Sequence, residues 1–201
     1  MRWKQFYFIL VYFFISFMAN DKPCSASFTF SLNNEFAASK EIDGVLFTPY
    51  DKLLISYGAD NQVDVWDLKK ESIVRKFVSQ SSSICSAAIQ QEQSFFAAGG
   101  KDGMLYIWEY ETGKQKHALK ASQKAIEAIS FSPNGKLIAS SGKDKVIRLW
   151  NVKMGRKIWE LKGHEGTVHS LAFSDDGQTL ISAGTDSTII SKNQAQRAYF
   201  F

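Results

Sequence analysis

The chain has 201 residues, of which 45% are hydrophobic and 22% charged, with a net charge of +4. That apolar share sets it apart from disordered chains and is enough for a buried core. Its two cysteines, Cys24 and Cys85, exclude a disulfide framework, and with acids and bases mixed and no Lys/Arg block nothing marks a nucleic-acid binder.

Met1 to Lys4 carries two positive charges, and residues 6–19 are nearly all apolar, Ser16 being the one polar residue. A basic start, an apolar run and small residues after it have the layout of a secretory signal, with Ala19 and Ala26 as candidate cleavage positions. The run is shorter than the roughly 20 residues that span a bilayer as a helix. Three readings stay open: a signal peptide or short membrane anchor, a helix packed on the domain, and a gene-boundary segment with no role. The first makes residues 1–27 a targeting or anchoring segment with its linker. It tips localisation toward secreted or membrane-associated, with cytoplasmic as the other outcome. Residues 28–32 alternate Phe-Thr-Phe-Ser-Leu and are expected as a strand within a lead-in over 28–40.

Further on, an Asp and a Trp six residues apart recur: Asp60 and Trp66, Asp102 and Trp108, Asp144 and Trp150. The step is 42 residues and Asp186 keeps it, although Lys192 takes the place of a fourth Trp. A fixed period of this length marks a repeat architecture. Alternation and turn residues divide each unit into strands. First strands are expected at Ile42–Phe47, Ile84–Ile89, Ile126–Phe131 and Val168–Phe173. Second strands follow at 52–56, 94–98, 136–140 and 178–182, and third strands at 63–66, 104–108, 146–150 and 188–191. A fourth strand is expected in three units only, at 73–77, 115–119 and 157–161. Asn134-Gly135 and Asp176-Gly177 are strong hairpin signals. The units run about 41–80, 81–122, 123–164 and 165–191, and the pattern is lost over 192–201.

Four short antiparallel strands per unit, repeated at this period, make the blades of a β-propeller. Gly163-His164, Trp66-Asp67, Trp150-Asn151 and the Asp-to-Trp spacing resemble the WD-repeat family over about residues 41–191. The expected fold class is all-β: WD-repeat β-propeller blades, incomplete as an open four-blade arc, preceded by an N-terminal hydrophobic helix. A blade covers its apolar faces only by stacking on neighbours. The first and last blades are therefore each expected to show one face to water. Compact four-blade closure, with residues 28–32 as the missing strand, is the alternative.

The resemblance implies a hydrogen-bonded set inside each blade: a His before the first strand, a Ser or Thr on the second, the turn Asp and the Trp of the third. By position, the fourth repeat has His164, Ser182 and Asp186, and the third has Ser140, Asp144 and Trp150. The first has Ser56, Asp60 and Trp66; the second has Asp102 and Trp108, with Ala98 in the Ser place. A buried turn Asp needs donors, and the N–H groups of its own turn are nearest. The resemblance also implies a partner-facing rim made of two columns. Asp43, Cys85, Glu127 and His169 come from the first strands. Lys101 and Lys143 precede the turn Asp and form a basic pair suited to an acidic peptide. His117 reads as a solvated position on an outer strand, and Trp159 as an outer-strand contact with the neighbouring blade.

As function, the resemblance implies a non-catalytic protein–protein interaction scaffold. Its expected partners are other proteins, further propeller blades among them, with membrane anchoring through residues 6–19 added by the amino end. The alternative is a propeller fragment or appendage of a secreted or membrane-associated hydrolase. No Gly-x-Ser-x-Gly, His-Glu-x-x-His or phosphate-cradling loop occurs in the chain. No enzyme activity, cofactor, metal or nucleic-acid partner is therefore expected.

Overall fold

Apolar alternation with short polar breaks dictates strands, and strands are what the repeat region forms. The computed structural model describes residues 41–49, 53–59, 61–81, 83–90 and 94–193. The chain divides between Asn33 and Asn34 into two units, and all described residues belong to the second. The expected N-terminal hydrophobic helix, the strand at 28–32 and Asp60 lie outside the described residues.

The first blade comprises β1 (Ile42–Phe47), β2 (Leu53–Gly58), β3 (Gln62–Asp67) and β4 (Ser72–Val78). The second comprises β5 (Ile84–Ile89), β6 (Phe95–Gly100), β7 (Met104–Glu109) and β8 (Gln115–Lys120). The third comprises β9 (Ile126–Phe131), β10 (Leu137–Gly142), β11 (Ile147–Asn151) and β12 (Arg156–Leu161). The fourth has β13 (Val168–Phe173), β14 (Thr179–Gly184) and β15 (Ile189–Asn193). Each blade is one antiparallel sheet in sequential strand order, and the four sheets are not joined into a closed barrel. β15 runs into the stretch read as irregular, because Lys192 and Asn193 pair with Leu180 and Thr179.

The hairpins follow from turn chemistry. The Ser132 hydroxyl bonds Asn134 Oδ1 at 2.9 Å and accepts the Leu137 amide at 3.0 Å. Asn134 Oδ1 also accepts the Lys136 amide, and Gly135 supplies the left-handed φ of +63°. Ser174, Asp176 and Gly177 repeat this arrangement one period on. In the first repeat the Thr48 hydroxyl accepts the Leu53 amide at 3.1 Å.

Cores form between successive blades. Ile55, Val63 and Val65 of the first blade meet Ile84, Phe96, Tyr106 and Trp108 of the second. Phe77 stands edge-on to Phe96, with centroids 4.8 Å apart, and Phe96 stacks on Trp108 at 5.0 Å. Burying such a side chain contributes roughly 1.5–3 kcal/mol, so this junction is a strong one. Ala97, Leu105 and Ile107 close the second blade onto Ile126, Ile138 and Trp150 of the third. Ala139, Ile147 and Leu149 close the third onto Leu180 of the fourth. The same columns in the fourth blade are open: Ile181 is 43% and Ile189 76% exposed. The fourth blade thus shows the uncovered face that stacking logic requires.

The outer strands add a second contact between blades. Arg75 on β4 donates to the carbonyls of Glu111 and Thr112 in the β7–β8 turn, at 2.8 and 2.9 Å. One period later, His117 Nε2 lies 3.0 Å from the Val152 carbonyl in the β11–β12 turn. A carbonyl only accepts, so Nε2 donates. His117 is therefore a half-buried interblade latch and not the solvated position expected.

Candidate partner-binding rim

The inner strands β1, β5, β9 and β13 lie beside one another in that order. Each carries a β-bulge at the same position of the repeat. Ile42 pairs with Gly58 and Gly44 with Tyr57, which leaves Asp43 as the extra residue. Cys85, Glu127 and His169 are left over in the same way on β5, β9 and β13. A bulge re-aims the side chain it carries and ends regular pairing. This is the physical reason why one residue per blade stands apart from the packed faces at this end of the inner strands.

The second column is tied directly beside the first. The amides of Ala59, Lys101, Lys143 and Thr185 donate to the carbonyls of Glu41, Ser83, Ala125 and Thr167, each two residues before a bulge. The strand that arrives here ends in glycine for a steric reason. A Cβ on Gly58 would run into the Glu41 carbonyl oxygen, and one on Gly142 into that of Ala125. The glycine column at Gly58, Gly100, Gly142 and Gly184 was the available signal for the bulges, since glycine inside a strand marks a bulge or a close approach.

The rim is mixed in charge. Lys143 Nζ lies 3.5 Å from Glu127 Oε1, so its charge is partly met and it is not a bare cation for an acidic peptide. Lys101, Asp43 and His169 are exposed. Burial, followed by the charges of Glu127 and Asp43, pushes the Cys85 thiol up, which keeps it protonated and a poor nucleophile. Burial and the Asp43 charge likewise raise the Tyr57 hydroxyl. Among the described residues, no group of three or more His, Cys, Asp or Glu is arranged to hold a metal ion.

Behind the rim lie the turn aspartates. In the fourth blade, His164 Nδ1 is 2.8 Å from Asp186 Oδ2, and Nε2 is 2.9 Å from Ser182 Oγ. The amides of Glu165 and Thr188 and the Thr188 hydroxyl also donate to Asp186. Burial opposes the Asp186 charge, but donation from Thr188, His164 and those amides outweighs it and holds the carboxyl well below the usual range. The Ser-His-Asp order imitates a hydrolytic triad. Ser182 is only 2% exposed and its hydroxyl also reaches the Ile190 carbonyl, so a substrate carbonyl has no approach to it.

The other blades lack that His and find different donors. In the third, Trp150 Nε1 donates to Ser140 Oγ at 2.9 Å, and Arg148 pairs with Asp144 at 2.5 Å. In the second, the Tyr106 hydroxyl faces Asp102 Oδ2 at 3.5 Å and accepts the amide of Gln80, the residue at the His place. Trp108 has Ala98 in place of a Ser and is held by stacking on Phe96 and Tyr106. In the first, Trp66 Nε1 donates to Ser56 Oγ at 2.8 Å. Tyr106 and Arg148 occupy one column, two residues before the Trp, where the fourth blade has Ile190. Reading the His, Ser, Asp and Trp places alone misses this column.

Residues 42–198 match the family described as the echinoderm microtubule-associated protein second beta-propeller. The chain belongs to this family. Among curated proteins it is similar to cross-pathway control WD-repeat protein 2 of Flammulina velutipes, with 32% identity over 92 residues, 45% of this chain and 29% of that one. It is also similar to small ribosomal subunit protein RACK1 of Caenorhabditis elegans, with 32% identity over 95 residues, 46% of this chain and 29% of the relative. MST50-interacting protein 11 of Pyricularia oryzae is 31% identical over 86 residues, 43% of this chain and 27% of its own. The matched stretches span less than a third of those relatives. The blades are thus WD-repeat propeller blades.

Proposed function

We propose that the chain is a non-catalytic protein-interaction platform whose partner sits on the rim of bulge residues. One observation carries the reading: four successive blades each break the inner-strand ladder at the same place and free Asp43, Cys85, Glu127 and His169 from it. Repeated at one end of a stiff framework, such positions vary in chemistry without disturbing the packed faces. The similarity to WD-repeat proteins, one of them named for an interaction, supports protein partners. Because the family takes its name from a microtubule-associated protein, microtubules and free tubulin are the first partners to test. The open face of the fourth blade, with Ile181 and Ile189, is read as the seat of a further blade. Residues 1–27 are read as a targeting or anchoring segment, which mature amino-end sequencing with membrane fractionation would check.

The experiment is co-sedimentation with microtubules and affinity capture of tubulin, by the wild type and by D43A/E127A/H169A. Binding that the triple variant loses supports the rim. Equal binding by both removes the rim from the contact.

A further inference from the structure

The interblade latches join the outer strands and the turns they reach into one continuous strip. Arg75 binds the turn that carries Lys114, and His117 binds the turn that carries Lys153. A side chain of one blade therefore reaches the turn of the next at each junction, and the first of those turns carries Glu111 beside Lys114. The strip is strongly basic. Residues 69–76 hold Lys69, Lys70, Arg75 and Lys76 against Glu71 alone. Residues 114–120 hold Lys114, Lys116 and Lys120 with no acid, and residues 153–162 hold Lys153, Arg156, Lys157 and Lys162 against Glu160. The whole chain nets only +4, so its positive charge is concentrated here and the remainder is net negative.

Part of that charge is compensated. Lys70 lies 3.6 Å from Asp67, Lys76 3.7 Å from Asp64, and Lys157 2.8 Å from Glu160. Lys69, Lys114, Lys153 and Arg156 are exposed, and among the described residues no carboxylate stands within ion-pair distance of them. Lysines on outer strands also discourage edge-to-edge pairing. Lys69, Lys114 and Lys153 lie in the turns before those strands, where there is no strand edge to protect.

We infer that the strip is a second docking surface, and that its ligand is an acidic polypeptide segment lying along the outer strands. Phosphate is best held by bidentate arginine. Arg75 spends both terminal nitrogens on carbonyls, which leaves Arg156 among lysines that act as point charges. Exposed Val74, Met154 and Ile158 flank those lysines and offer apolar contact to the side chains of a polypeptide. A nucleic-acid backbone has no use for them. The inference goes beyond the rim reading and does not depend on it.

The test is fluorescence anisotropy with labelled poly-L-glutamate, a poly(dT) oligonucleotide and phosphatidylserine-containing vesicles. The wild type should bind poly-L-glutamate most tightly, and more weakly as salt rises. K69E/K114E/K153E should weaken that binding by about tenfold or more, since close charge pairs across an interface carry such differences. The control K192E, at an exposed lysine of β15 that belongs to neither the strip nor the rim, should stay within about twofold. The milder K69Q/K114Q/K153Q serves if charge reversal unfolds the chain by circular dichroism. Unchanged binding by the strip variants, or tighter binding to the oligonucleotide or the vesicles, would overturn the inference.

Discussion

A turn aspartate held among strands needs donors, and the repeats supply them with different side chains. In the fourth blade the His164 ring joins Asp186 to Ser182. His164→Ala strips a donor from Asp186 and leaves Ser182 buried with a weaker partner. It is expected to cost about 1–3 kcal/mol, the penalty of an unmet buried polar group, read as a lower urea midpoint. Tyr106→Phe removes a single bond to Asp102 and the acceptor of the Gln80 amide, and should cost only about 0.5–1.5 kcal/mol. The Asp186 carboxyl titrates lower in the folded chain than its ordinary value. Its contribution is fully present above the unfolded carboxylate pKa, about 3.9. It is lost as pH falls below that value toward the depressed folded one. Asp186→Asn should therefore flatten the acid limb of the stability profile, and an unchanged limb would refute this assignment. The positions of His164, Ser182 and Asp186 were legible from the period. Tyr106 and Arg148 were not, because a column that reads Asp, Tyr, Arg and Ile has no common chemistry until its contacts are seen.

At the level of strands, first-strand bounds came directly from alternation, while second strands were read as ending at Ser56, Ala98, Ser140 and Ser182. Gly58, Gly100, Gly142 and Gly184, two residues further on, are the last residues of their strands. Gly58, Gly142 and Gly184 end their strands where the neighbouring backbone passes too close for a side chain, and Gly100 where the Asp102 and Ser81 side chains do. Alternation does not reveal a bulge, since one extra residue looks the same as an ordinary one. Gly142→Ala would press a methyl on the Ala125 carbonyl and shift the bulge at Glu127. The expected loss is about 1–3 kcal/mol, the usual cost of overpacking, with a chemical-shift change at Glu127 in NMR. A variant as stable as the parent, with Glu127 unmoved, would show that the glycine has no such role.

At the scale of the whole arc, what was legible was the period itself, and with it the stacking rule that leaves the fourth blade open. Ile147 and Ile189 occupy one column, but the first is buried and the second 76% exposed. Ile147→Lys should cost about 4 kcal/mol or more, as a charge forced into a core does. Ile189→Lys should change stability by about 0.5 kcal/mol or less. Equal losses would mean that the fourth face is covered. The most direct measurement of the central claim is amide hydrogen exchange with and without tubulin bound. The account predicts protection of the segments around Asp43, Cys85, Glu127 and His169, lost in D43A/E127A/H169A. Protection absent there while tubulin remains bound would contradict it.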